Sequence, residues 1–155
     1  FLILTGLSQS AIQSPVFYYN LKDPEFFFNL IDIKYTKILK RMSRDYTLFF
    51  NNVEDALQAK NKLNKIELNN KKFFSIKNSD NKLYLELIYG LEIKNKEVLA
   101  LNNDIRINIK ENINFIAIKN SIHNQKGYLI SSIKEYNNPT YIWDVHKNIL
   151  NQYAK

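Results

Sequence analysis

Apolar and mostly polar side chains alternate along KLYLELIYG, residues 82–90, and this alternation constrains the fold more than any other feature of the chain. Successive residues of a β-strand point to opposite sides, so every second side chain lines the same face. The more apolar face is formed by Leu83, Leu85, Leu87 and Tyr89. The stretch therefore predicts a strand that packs one side against a core.

Strand-type and helix-type patterns alternate along the rest of the chain. We expect further strands at 1–5, 45–50, 71–76, 97–101, 104–109, 114–118 and 127–132. Asp23 before Pro24 is a typical helix start, and apolar residues at helical spacing predict a helix over 24–42. Asn52 is expected to cap a helix over 53–63, and a last helix is expected over about 140–153. The alternation predicts an α/β fold with a mixed, mainly parallel core sheet flanked by helices.

Charge and composition narrow the function classes. The chain has 155 residues and a net charge of +7, which suits nucleic acid, phosphate-rich ligands or an anionic membrane surface. Its lysines are scattered, with the densest groups at 37–41 and 60–65, so a general solubility charge explains them as well. The absence of cysteine excludes disulfides, thiolate zinc sites and cysteine nucleophiles. No apolar run approaches the length of about 20 residues that spans a bilayer, so we expect a soluble chain of unknown compartment.

Local catalytic motifs are missing from the sequence. Gly6, Gly90 and Gly127 stand too far apart for a glycine-rich phosphate loop, and neither HExxH nor GxSxG occurs. His123 and His146 would need a third ligand, such as Asp144, to hold catalytic zinc. A structural or surface role is the expectation for such histidines.

The segment 47–76 resembles the second half of an RNA-recognition motif. It is expected to run strand, helix and strand, with Glu54-Asp55 near the helix start, although the family's glycine-rich aromatic strand signature is absent. Phe49 and Phe73 are candidate stacking platforms for bases, and core packing explains them equally well. The candidate phosphate contacts, expected on one face, are Lys60, Lys62, Lys65, Lys71 and Lys72. Such a ferredoxin-like α/β pattern serves many functions.

The C-terminal part of the chain resembles the alkaline phosphatase superfamily, especially its type I phosphodiesterase/nucleotide pyrophosphatase branch. His123 is followed after three residues by Gly127 and then by an apolar strand, as in that family. The segment from Ile142 to Leu150, IWDVHKNIL, resembles the family's Ile-Tyr-Asp-Val-x-Pro-Thr-Ile-Leu, with Lys147-Asn148 in place of Pro-Thr. The resemblance implies that His123 stands at a zinc-ligand position and that the glycine lets the chain turn into a core strand.

The start of the chain departs from the family's pattern. Thr5-Gly6-Leu7-Ser8 stands where the family has Ser-Asp-His-Gly, so both metal ligands of that motif are missing. The family's earlier metal aspartate and its nucleophile lie upstream of this strand. The resemblance thus implies that residues 1–155 are a single domain or the C-terminal part of a larger one, with about 20–110 as an inserted ferredoxin-like α/β subdomain. His123 would be a vestigial ligand, with zinc bound only in a larger active chain.

Three functions follow from these patterns. The first is a catalytically degenerate alkaline-phosphatase-like domain with a structural or interaction role. We expect it to bind a protein partner or to belong to a larger assembly. The alternative is a small basic RNA- or ribosome-associated protein with a ferredoxin-like core. The third is the C-terminal piece of an active zinc-dependent phosphodiesterase; by itself the chain is not expected to be an enzyme or to bind a cofactor. Only the RNA-binding function predicts an affinity that falls steeply with salt.

Overall fold

The computed structural model describes residues 2–95, 97–102, 105–132 and 141–153. The chain divides into two compact units. We name them by their place in the sequence: the inner unit is residues 15–119, and the outer unit is residues 1–14 and 120–155. The inner unit exceeds the range of about 20–110 expected for a subdomain, and its insertion into a parent domain stays a prediction. None of the helices in the described ranges has the length and apolar content needed to cross a membrane.

Strands and helices alternate irregularly along the chain, and strands are more numerous. They are β1 (Leu2–Thr5), β2 (Ser8–Leu21), α1 (Pro24–Leu30), β3 (Lys37–Lys40), β4 (Asp45–Phe49), α2 (Val53–Leu63), β5 (Glu67–Leu68), β6 (Lys71–Lys72), β7 (Phe74–Ser79), β8 (Lys82–Leu87), β9 (Val98–Asn102), β10 (Ile105–Asn108), α3 (Ile109–Asn112), β11 (Ile113–Asn124), β12 (Tyr128–Ser131) and α4 (Ile142–Tyr153). Most expected strands and two of the three expected helices are confirmed near their predicted bounds, whereas the long strand β2 was not predicted.

The expectation of a mainly parallel core sheet is wrong. The inner unit contains a four-stranded sheet of order β3-β4-β8-β7, in which every neighbouring pair is antiparallel. A second sheet has the order β10-β9-β5-β6, and β2 pairs with β11. Connection length accounts for the β3–β4 and β7–β8 pairs, which are joined by short turns, whereas a parallel pair needs a crossover of about a dozen residues or more. The central β4–β8 pair is antiparallel because β8 turns back from β7 and lies between β7 and β4.

The expected ferredoxin-like sheet is not formed either. The order β2-α1-β3-β4-α2-β7 along the chain is that of a ferredoxin-like unit, strand-helix-strand-strand-helix-strand. However, β2 pairs with β11 outside the four-stranded sheet, and β8 takes the place between β4 and β7. The choice of partner for β2 depends on residues about a hundred positions away, which no local pattern encodes.

Both longer helices of the inner unit cover the same face of the four-stranded sheet. The side chain of Asn52 accepts a hydrogen bond from the Asp55 N–H at 2.8 Å, which caps α2 as expected. That helix packs against β7 and β8 through Ala56, Ala59 and Leu63, all buried. In α1 the ring of Phe28 lies 6.0 Å from Tyr46 and 6.1 Å from Phe74, measured between ring centroids. We call this the helix side of the sheet.

The first helix is shorter than the spacing of its apolar residues predicts. It ends at Leu30, whereas the sequence predicts helix to residue 42. Asp32 has a φ of 52°, in the left-handed region, and this conformation stops the helix. Ile38 then packs from strand β3, opposite Leu48, and Met42 is 94% exposed. The later apolar residues of this segment, whose spacing predicts a helix, thus lie on a loop and on strand β3.

The outer unit contains a two-stranded antiparallel ladder and a helix. In the ladder β1 pairs with β12, with Ile3 opposite Ile130 and Thr5 opposite Tyr128. The Thr5 hydroxyl also accepts a hydrogen bond from the Tyr128 N–H at 2.8 Å. A Cβ on Gly127 would lie 2.0 Å from the Thr5 carbonyl oxygen, so this close approach requires glycine.

Candidate functional site

The side of the four-stranded sheet opposite the helices carries polar, charged and aromatic side chains. Paired residues of neighbouring antiparallel strands point to the same side. Thr47 pairs with Tyr84 and Phe49 pairs with Lys82, while the alternate residues Leu48 and Leu83 belong to the buried core. We call this side the open face. Its members are Lys37, Leu39, Arg41, Asp45, Thr47, Phe49, Ser75, Lys77, Ser79, Lys82, Tyr84 and Glu86.

Two aromatic rings lie on the open face, one on each of the central strands. Phe49 is on β4 and Tyr84 is on β8, and the pairing makes them diagonal neighbours. Such neighbours are roughly 7–8 Å apart, within reach of aromatic side chains. Tyr84 is 41% exposed and Phe49 is partly exposed. Both rings can therefore be reached from solvent.

Basic side chains surround the two rings. The Nζ atoms of Lys37 and Lys82 lie 5.9 Å and 5.5 Å from the centre of the Phe49 ring, in cation–π range. Lys77 pairs with Tyr84 from β7 and is exposed. The face thus presents two ammonium groups over the Phe49 ring and one basic side chain paired with Tyr84.

One acidic group of the open face is neutralised within the protein. Glu86 forms an ion pair with Arg44, a residue of the turn before β4. The Arg44 guanidinium also lies 4.1 Å from the centre of the Tyr18 ring. Because this pair is held in place, the balance of charge on the open face is set by Lys37, Arg41, Lys77 and Lys82 against Asp45.

The two phenylalanines predicted as stacking platforms have different environments. Phe49 lies on the open face, as described above. Phe73 is 0% exposed, and its ring lies 5.0 Å from Phe74, 6.2 Å from Tyr89 and 6.3 Å from Phe27. Its ring is therefore part of the core and is not accessible to a base.

The five lysines predicted as phosphate contacts lie away from the open face or apart from one another. Lys60 and Lys62 belong to α2, on the helix side of the sheet, and Lys65 follows that helix. Lys62 Nζ is 2.9 Å from the Asp32 carboxylate, and this hydrogen bond lowers the pKa of Asp32. Lys71 and Lys72 are successive residues of β6 and so point to opposite sides.

A further cavity of the inner unit lies between the loop after α1 and helix α2. It has a volume of about 420 Å³ and contains Asp32, Asp55 and Lys62. The Asp32 carboxylate pairs with Lys62, and the Asp55 carboxylate accepts a hydrogen bond from the Asn52 amide. Because these charged groups already have hydrogen-bond partners within the protein, the cavity is a weaker candidate for a ligand site than the open face.

The histidine of the phosphatase-like motif is exposed. His123 lies on β11, and His146 lies on α4 with Asp144 two residues before it. Within the described ranges, no three histidine or carboxylate side chains come close enough to share a metal ion. The role of His123 as a zinc-ligand position stays a prediction.

Sequence reasoning missed most of the open face. Tyr84 and Lys82 stand on the polar side of the alternation in KLYLELIYG, so the signal that they share a face was present. The sequence predicts a helix over the segment that contains Lys37 and Arg41, so it does not place them on a sheet face. Their place beside Phe49 follows only from the pairing of β3 with β4.

Comparison with known proteins adds no relative to this picture. No protein-family model, curated protein or solved structure matches the chain. The resemblance to the alkaline phosphatase superfamily accordingly stays a prediction, and the functional argument depends on the geometry of the open face.

Proposed function

We propose that the inner unit binds single-stranded RNA on the open face of its four-stranded sheet. The observation that carries this proposal is the placement of Phe49 and Tyr84 on the two central strands, with two lysines in cation–π range of Phe49 and a third paired with Tyr84. Aromatic side chains stack on bases whatever their identity, and ammonium groups bind the phosphates between them.

The target is single-stranded because a sheet face can stack only on bases whose flat sides are free. In an A-form duplex the bases are stacked on one another, and the deep major groove admits no side chain. Each stacked base contributes about 1–3 kcal/mol in other proteins that bind single strands. A two-ring platform then corresponds to binding of modest affinity.

The electrostatic part of the binding has a measurable size. Lys37, Lys77 and Lys82 are the ammonium groups nearest the rings. If each of them neutralises one phosphate, log K falls against log salt with a slope of roughly −2, since single strands give about −0.7 per phosphate. The structural or interaction role of a degenerate phosphatase-like domain stays the competing prediction, and it has no such slope.

Titration of a fluorescently labelled single strand, about ten nucleotides long, tests the proposal by anisotropy. We expect Phe49→Ala or Tyr84→Ala to weaken binding by about five- to 150-fold, which corresponds to the loss of one stacked base. The matched controls are Lys77→Ala on the open face and Lys65→Ala near the helix side. Lys77→Ala should reduce the salt slope by about 0.7, and Lys65→Ala should leave it unchanged.

The fold of each variant is checked by its circular dichroism and its denaturation midpoint. Equal affinity of the wild type and the two aromatic variants would refute the proposal, since the rings would then not contact the bases. Equal loss in the Lys65→Ala and Lys77→Ala variants would mean that the net charge, and not this face, holds the RNA.

A further inference from the structure

A cleft of about 250 Å³ lies on the open face beside Tyr84. Its polar side chains come from strands β4, β7 and β8 and from the residue after β3. They are Arg41, Asp45, Thr47, Ser75, Lys77 and Glu86. A cleft beside an exposed aromatic ring is a place where the edge of a stacked base meets hydrogen-bonding groups.

The guanidinium of Arg41 lines this cleft and is hydrogen-bonded to the sheet. Its Nε donates a hydrogen bond to the Thr47 hydroxyl at 3.0 Å, and Thr47 is fully buried. The backbone N–H of Arg41 donates to the Asp45 carbonyl at 2.8 Å, which holds the residue opposite β4. The two terminal Nη groups form no hydrogen bond with any described residue. These two neighbouring N–H groups are therefore available as hydrogen-bond donors to a ligand.

The carboxylate of Asp45 is the available acceptor. Asp45 pairs with Glu86 across the strands, so both side chains point to the open face. Glu86 is engaged by Arg44, whereas the Asp45 carboxylate forms neither an ion pair nor a hydrogen bond within the described part of the chain. The Asp45 carboxylate and the Arg41 guanidinium thus line the same cleft, and both keep groups available to a ligand.

Guanine is the base that satisfies both groups. Its N1–H and N2–H₂ are adjacent donors that match the two oxygens of a carboxylate, and its O6 and N7 are adjacent acceptors that match a guanidinium. Adenine, cytosine and uracil each lack the adjacent pair of donors. A phosphate would satisfy the guanidinium but would be repelled by Asp45.

We propose that this cleft selects guanine, with Asp45 accepting from the N1–H and N2–H₂ edge, Arg41 donating to O6 and N7, and Tyr84 stacking on the ring. This inference rests on the proposed function, because it names the base that the open face prefers. Lys77, which pairs with Tyr84, would neutralise the phosphate of the same nucleotide. The preferred ligand is thus a single strand with guanine at one position and any base on Phe49.

A panel of four labelled oligonucleotides tests the inference, namely an oligouridylate and three copies with one central uridine replaced by guanosine, adenosine or cytidine. The full chain should bind the guanosine oligonucleotide about a hundredfold more tightly than the other three, the size of two bidentate contacts of about tenfold each. Asp45→Asn replaces one acceptor oxygen by a donor and should reduce this preference about tenfold, to the part contributed by Arg41. Asp80→Asn, which removes the same charge from the turn between β7 and β8, should keep the full preference.

The outcomes separate this inference from the proposed function. Absence of binding to all four oligonucleotides would refute the proposed function and the inference together. Binding of all four with equal affinity, or with a preference for another base, would overturn the guanine inference and leave the proposed function standing. A guanine preference that Asp45→Asn leaves unchanged would also overturn it, because the carboxylate would then not read the base.

Discussion

Replacement of Phe73 by alanine distinguishes a core role from a stacking role for this ring. Phe73 is fully buried, and three aromatic rings lie with their centres within 6.3 Å of it. Replacement of a buried phenylalanine by alanine costs about 3–5 kcal/mol, and this value includes the lost ring contacts. We expect Phe73→Ala to lower the free energy of unfolding by about 3–5 kcal/mol, which is a large part of the total stability of an ordinary domain.

Urea denaturation followed by circular dichroism measures this loss as a shift of the midpoint at constant slope. Phe49→Ala is the matched control, because Phe49 lies on the open face and its ring contacts lysine ammonium groups. We expect that variant to lose less than about 1.5 kcal/mol, with its main effect on RNA affinity. A Phe73→Ala variant that loses less than about 1 kcal/mol would refute the assignment of Phe73 to the core.

Three further outcomes follow from individual contacts. The Tyr46 hydroxyl accepts a buried hydrogen bond from the Leu21 N–H at 2.8 Å, so Tyr46→Phe should lower the free energy of unfolding by about 1–3 kcal/mol in urea titrations. Burial also raises the pKa of Tyr46 above 10.0, so the folded state keeps a proton that the unfolded chain releases. The free energy of unfolding should therefore be fully present below pH 10 and should fall as the pH rises through the raised value. The fall should be smaller in Tyr46→Phe. Gly127→Ala would place a Cβ 2.0 Å from the Thr5 carbonyl oxygen, and amide hydrogen exchange in β1 and β12 should accelerate at least tenfold, whereas Lys126→Ala should leave it unchanged.

The open face was only partly accessible to sequence reasoning. Alternation in β8 assigned Leu83, Leu85 and Leu87 to the core, and all three are buried. The same alternation left open which of Phe73 and Phe74 points inward, and both rings are buried. Phe74 lies on the helix side of β7, and Phe73 precedes that strand and joins the core through Phe27 and Tyr89. Simple alternation fails there because the chain leaves the strand.

Short-range physics is sufficient to predict several local elements from the sequence. The cap at Asn52 and the apolar face of α2 predicted that helix with its correct bounds, because capping and helical spacing act over a few residues. The tertiary structure alone decided the direction of strand pairing, the end of α1 at a left-handed Asp32, and the partner of β2. Those outcomes depend on contacts between residues far apart in the sequence, and such contacts form only when the whole chain packs. The open face arises in the same way, since β3, β4, β7 and β8 bring Lys37, Phe49, Lys77 and Tyr84 together only as a sheet.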